Sequence, residues 1–137
     1  MSTCTLNDWS TVVSGGGTWT TPVAGSIDYR VATSANCGGS TSAIQIGTAT
    51  EFITVGSGSV ATIEYTLSGV SENKQAGHDI GQFKLNGTVQ DEFSAGSGGV
   101  DCSTLDSSLL ARTLTLGAGT HRLEVTYDTH DGLHHTA

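Results

Sequence analysis

The stretch LTLGAGTHRLEVTYDTHD, Leu114 to Asp131, decides the fold. Leu114 and Leu116 alternate with Thr113 and Thr115, and Leu123, Val125 and Tyr127 alternate with Arg122, Glu124 and Thr126. Successive side chains of a strand point to opposite faces, so each run reads as a strand with one buried and one wet face. Gly117-Ala118-Gly119 lies between them, and glycine-rich triplets of this kind reverse a chain tightly. The expectation is an antiparallel hairpin followed by a polar loop crowded with Asp and His.

The same alternation recurs on the N-terminal side. Val60 to Ser68, VATIEYTLS, is the longest run, with Ala61, Ile63, Tyr65 and Leu67 on one face; it is expected to lie centrally in a sheet. Ile80 to Asn86 carries Phe83 and Leu85, and Asn86-Gly87 is a type I′ turn signal. Gln82 to Phe93 therefore reads as a second hairpin. Thr11–Val13, Ser26–Thr33 (Ile27, Tyr29 and Val31 inward), Ala43–Gly47 (Ile44 and Ile46 inward) and Thr50–Val55 read as further short strands. Leu105 to Ala111, behind Ser103 or Thr104 as a cap, suits one helical turn. No fixed repeat is present, and roughly eight to ten short strands separated by turns predict an all-β, two-sheet antiparallel β-sandwich or jelly roll. Its expected core is Ile63, Tyr65, Leu67, Phe83, Leu85, Leu114, Leu116, Leu123 and Val125.

Composition agrees. The 137 residues suit a single domain, 1–137, with 1–25 as an N-terminal arm or edge segment. Thr (21), Gly (19) and Ser (16) dominate, which disfavours helix and favours strands joined by turns. Five Lys plus Arg against thirteen Asp plus Glu give a net charge of −8, so binding of nucleic acid through its phosphates is not expected. No apolar run approaches the roughly 20 residues that span a bilayer, and no membrane partner is expected. MSTCTLNDWS shows neither a basic nor an apolar leader region. Cys4, Cys37 and Cys102 make no CxxC pattern, and at least one stays unpaired. A Cys37–Cys102 bridge needs an oxidising compartment; free thiols are the expectation.

Residues 80–127 carry a family resemblance. Phe83, Leu85, Asn86 and Gly87, followed by Leu114, Leu116, Ala118, Gly119, His121, Leu123 and Val125, resemble the pattern of the galactose-binding-like jelly rolls, which include carbohydrate-binding modules. The resemblance implies a β-sandwich and, more distantly, sugar binding. Those modules present an aromatic side chain to the ligand, whereas Tyr127 is expected to face inward here.

Chemistry-bearing residues gather in two loops. Asp128, His130, Asp131, His134 and His135 follow the Leu123 strand, and His78-Asp79 follows Gly77. Imidazole and carboxylate are both metal ligands, but Gly132 and the strand context keep His130 and His134 from converging as they would on a helix. A polar turn with exposed histidines is the expectation, with no cofactor; a divalent cation, calcium on Asp128 and Asp131 among the options, is the alternative. His78-Asp79 has the composition of a general base, yet no nucleophile motif accompanies it. GxSxG, HExxH and phosphate-loop patterns are absent, so no enzyme activity is expected. Trp9, Trp19 and Tyr29 form either a sugar-stacking platform or core packing; with eight aromatics for the whole domain, packing is expected.

These readings favour a non-enzymatic surface module, a phage capsid decoration, cement or head-fibre subunit located on the virion. Its expected partners are further copies of itself or capsid proteins. The alternative is an extracellular carbohydrate-binding or lectin-like domain. In either case loops 70–79 and 128–135, with His78, Asp79, Asp128, His130, Asp131 and His134, are the expected contact surface.

Overall fold

The structure, a computed structural model, describes residues 6–30, 45–67, 69–70, 80–94, 104–105 and 112–128. Eleven strands run through them: β1 (Ser10–Ser14), β2 (Thr18–Trp19), β3 (Tyr29–Arg30), β4 (Ile46–Val55), β5 (Ala61–Tyr65), β6 (Gly69–Val70), β7 (Ile80–Leu85), β8 (Thr88–Ser94), β9 (Thr104–Leu105), β10 (Arg112–Leu116) and β11 (Gly119–Asp128). No helix occurs among the described residues. All pairings are antiparallel: a five-stranded sheet ordered β1-β4-β11-β7-β8, and two-stranded ladders β5–β10, β2–β3 and β6–β9. The protein is therefore all-β and sandwich-like, as the alternation predicts.

The expected hairpin at Gly117-Ala118-Gly119 is not one. β11 pairs with β4 from Gly119↔Val55 to Asp128↔Ile46, and on its other side with β7 from Leu123↔Leu85 to Asp128↔Ile80. β10 pairs with β5 and not with β11, Leu114 opposite Ile63 and Leu116 opposite Ala61. The chain thus crosses from one layer to the other at Gly117-Ala118. The Gly56–Val60 connection makes the same crossing between β4 and β5. Because β4 pairs with β11 and β5 with β10, the two crossings lie side by side. Leu116 (2 % exposed) and Leu123 (0 %) then meet in one core from opposite layers, together with Val55, Ile63, Leu67, Phe83 and Tyr127. Fully burying a side chain of this size contributes about 1.5–3 kcal/mol. Tyr65, Leu85, Leu114 and Val125 pack against this cluster half-buried, and Tyr65 stacks on Phe83 at 4.0 Å across the layers.

Four further expectations change. β5 is not central: among the described residues it pairs only with β10, and β11 holds the middle of the large sheet. Ala43–Gly47 and Thr50–Val55 were two runs in the sequence; Ile46–Val55 is one continuous strand. Continuity imposes a single parity, so Gln45, Gly47, Ala49, Glu51 and Val55 are buried while Ile46 and Phe52 face out. Leu105, the first residue of the expected helical turn, belongs to a strand pair with Gly69, and the rest of that turn, 106–111, lies outside the described residues; Val70, expected in a loop, pairs with Thr104. The expected strand at Ser26–Thr33 contributes Tyr29–Arg30; its remainder from 31 onward, and Ile44, lie outside the described residues, as do Cys4, Cys37 and Cys102.

The second hairpin is as expected. Asn86 (φ 51°) and Gly87 (φ 83°) take the positive angles of a type I′ turn between β7 and β8. Its tip is bound to the start of β11. Arg122 N donates to Asn86 Oδ1 (2.8 Å), and Asn86 N donates to Arg122 O (2.8 Å). With Oδ1 so engaged, Asn86 Nδ2 is the donor facing His121 Nδ1 at 3.2 Å. Nδ1 must accept, so neutral His121 carries its proton on Nε2, which donates to Gly117 O at 2.9 Å. His121 thereby ties the layer crossing to the hairpin tip. On the far side, Arg112 of β10 reaches Asp91 of β8 at 3.4 Å and links the two layers.

Tyr29 determines the close packing at the β1–β4 end. Its ring lies on Gly17 and Gly47, where an added Cβ would collide with ring atoms, and its hydroxyl donates to Gly16 O at 2.8 Å. Gly47→Ala is expected to destabilise the fold by about 1–3 kcal/mol, as overpacking does. Gly56→Ala, with open space around the new methyl, should stay within about 0.5 kcal/mol of the parent. Urea denaturation of the two variants checks the contrast.

Candidate functional site

A groove of about 990 Å³ runs between the β2–β3 hairpin, the segment around Trp9, β4 and the length of β5. Its aromatic lining comes from Trp9, Trp19, Tyr29, Tyr65, Phe83 and Tyr127. Alternation places these side chains: Tyr29, Phe83 and Tyr127 sit on inward positions of their strands and are buried, whereas both tryptophans remain half-exposed. Trp19 and Tyr29 lie 5.2 Å apart at 49°, and Tyr29 and Tyr127 5.7 Å apart at 40°, the tilted arrangement that aromatic pairs favour. The Trp9 indole donates to Leu6 O at 3.1 Å, and the Trp19 indole to Val12 O at 3.4 Å. Both indoles are thus held by the backbone with ring surface to spare. The sequence posed platform and core as alternatives for Trp9, Trp19 and Tyr29; Tyr29 is core, and the tryptophans form the groove wall.

The ionisable groups along the groove are carboxylates and phenols: Asp28, Glu51 and Glu64 with the three tyrosines, and no Lys, Arg or His is among the described residues that line it. Glu51 is the unusual member. It sits on an inward position of β4, opposite fully buried Leu123, and is only 9 % exposed. Its Oε2 is buried and, among the described residues, has no hydrogen-bond partner. Burial pushes the carboxyl above its ordinary range; a hydrogen bond with the Asp8 backbone opposes this, and the charge of Asp8 adds to it. Leaving a buried polar atom unpaired costs about 1–3 kcal/mol, more when it is charged. Tyr29 and Tyr65 are also pushed up, each chiefly by burial, so both phenols are neutral donors at physiological pH.

Sequence reasoning missed Glu51. The signal was present: if Ile53 and Val55 face inward, period-two alternation carries Glu51 inward with them. Of the residues expected from the loops, Asp128 ends β11 opposite Ile46 and Ile80, half-buried and away from the groove lining. His78, Asp79, His130, Asp131, His134 and His135 lie outside the described residues. Among the described residues no group of three or more His, Cys, Asp or Glu side chains is placed to hold a metal ion. Comparisons with protein families, curated proteins and solved structures find no match to this chain.

The pH dependence follows from Glu51. Its folded-state pKa is raised, so above the ordinary value of 4.5 the folded chain still holds a proton that the unfolded chain has released. Stability contributed by that proton is present at low pH and is lost as pH rises through the raised value. Glu51→Gln should therefore be more stable than the parent at pH about 7, with the gap closing toward pH about 4. Urea denaturation of both proteins across this range measures it; a gap that does not change with pH would contradict the assignment.

Proposed function

We propose that the chain is a non-catalytic binding module whose groove takes a neutral, polyhydroxylated ligand, a glycan. The observation that carries this reading is Glu51, whose buried Oε2 has no hydrogen-bond partner among the described residues, on a groove wall that also carries six aromatic side chains. A sugar ring offers what such a wall lacks: an apolar face for stacking on Trp9 or Trp19, and hydroxyl donors for a carboxylate. The absence of cationic side chains from the described lining argues against anionic ligands. Glu51 then carries a stability cost in the free protein that ligand binding offsets, a known compromise at functional positions.

A second reading, a virion surface subunit, draws on a different feature, the uncharged outer strand β1 of the large sheet. The two readings are compatible, because a module displayed on a particle can also hold a glycan.

Trp9 and Trp19 are the two tryptophans of the chain, and both line the groove. Intrinsic tryptophan fluorescence therefore reports on it directly. Titration with a panel of neutral oligosaccharides should shift or quench the emission saturably for at least one member. Glu51→Gln should then weaken binding by about tenfold, equivalent to about 1.4 kcal/mol, while the free protein gains stability. No saturable change with any neutral glycan would overturn the reading.

A further inference from the structure

The large sheet ends in two outer strands of opposite character. β8 carries Asp91 and Glu92, and its register with β7 shifts between Phe83 and Lys84. Charge and irregularity are the usual guards of a sheet edge. β1, at the other end, has neither. Ser10-Thr11-Val12-Val13-Ser14 contains no charge and no proline, and pairs with β4 in unbroken register from Ser10↔Thr50 to Ser14↔Ile46. All five residues are exposed, Val12 at 68 % and Val13 at 46 %. Among the described residues no strand pairs with its outer edge.

We propose that β1 pairs antiparallel with β1 of a second copy of the chain, about a two-fold axis through Val12. The partner is argued from the sequence of the strand itself. A two-fold interface brings one patch against itself and must be self-complementary. Centred on Val12, the pairing sets Ser10 opposite Ser14, Thr11 opposite Val13, and Val12 opposite its own counterpart. Serine thus meets serine at both ends, and β-branched residues meet across the middle, the type that packs well in strand pairs. Charge points the same way. The chain carries −8 overall, so copies repel across most surfaces, and β1 is a neutral strip where they can approach. The indole of Trp19 already donates to Val12 O, at a long 3.4 Å. A carbonyl oxygen has two lone pairs, so this contact leaves room for a bond from the second strand. The product is one sheet continuous through two copies, with the β8 edges left outermost. This inference is independent of what the groove binds.

Sedimentation velocity over a range of concentrations, supported by native mass spectrometry, tests it. The parent should show a concentration-dependent dimer. Val12→Lys sets two ammonium groups against each other on the axis and should abolish the dimer, while its melting temperature matches that of the parent at dilutions where the parent is monomeric, since the side chain is exposed. Thr11→Lys, opposite Val13, provides the same reading should Val12→Lys fail to fold. Val89→Lys, on the β8 edge, should leave the dimer intact. A parent that stays monomeric up to its solubility limit, or a dimer that survives both β1 variants, would overturn the proposal.

Discussion

The ten-pair ladder between β4 and β11 is the interaction on which the rest of the structure depends. It joins the two longest strands over their whole length and sets one parity for both. With β7 on its other side, β11 is closed to further partners along most of its length. The chain leaves the sheet twice at one end of the shared ladder, beyond the Gly119↔Val55 pair, at Gly56–Val60 and at Gly117-Ala118, and β5 and β10 form the opposing layer together. Leu116 and Leu123, separated by six positions in sequence and a layer in space, both become fully buried as a result.

The groove is a consequence of the same parity. Inward positions of β4 receive Glu51 as well as Ala49 and Val55, so a carboxylate enters a space walled by Tyr29, Tyr127 and Phe83. Tyr29 reaches that space because Gly17 and Gly47 leave room for its ring. Trp19, on the strand paired with Tyr29, is brought to the rim. Packing at the β1–β4 end and the wall of the groove are therefore built from the same residues.

Much of this was legible in the sequence. Alternation correctly assigned the inward faces of β5, β7 and β11, and Asn86-Gly87 marked its own turn. What alternation leaves open is which strand a run pairs with. Leu114, Leu116, Leu123 and Val125 face inward equally in a hairpin and in a layer crossing; the two differ in the partner of β10, which alternation does not name. Parity failed where a strand was read in two pieces: with Ala43–Gly47 and Thr50–Val55 apart, Ile46 could face inward, and once they are joined it cannot. Glu51 was missed for a related reason, since a lone carboxylate among β-branched residues reads as the wet face. The aromatic wall was half legible, because Trp9, Trp19 and Tyr29 stood out while their division between core and rim depends on where two glycines leave room.

The layer crossing at Gly117-Ala118 is the central structural claim, and cross-strand nuclear Overhauser effects test it most directly. The account predicts contacts of His121 with Ile53, and of Leu114 with Ile63, from opposite layers of the sandwich. A hairpin would instead place Thr115 beside Thr120 and Leu114 beside His121 as ladder partners. Observation of those backbone contacts, in place of the β4–β11 and β5–β10 sets, would contradict the account.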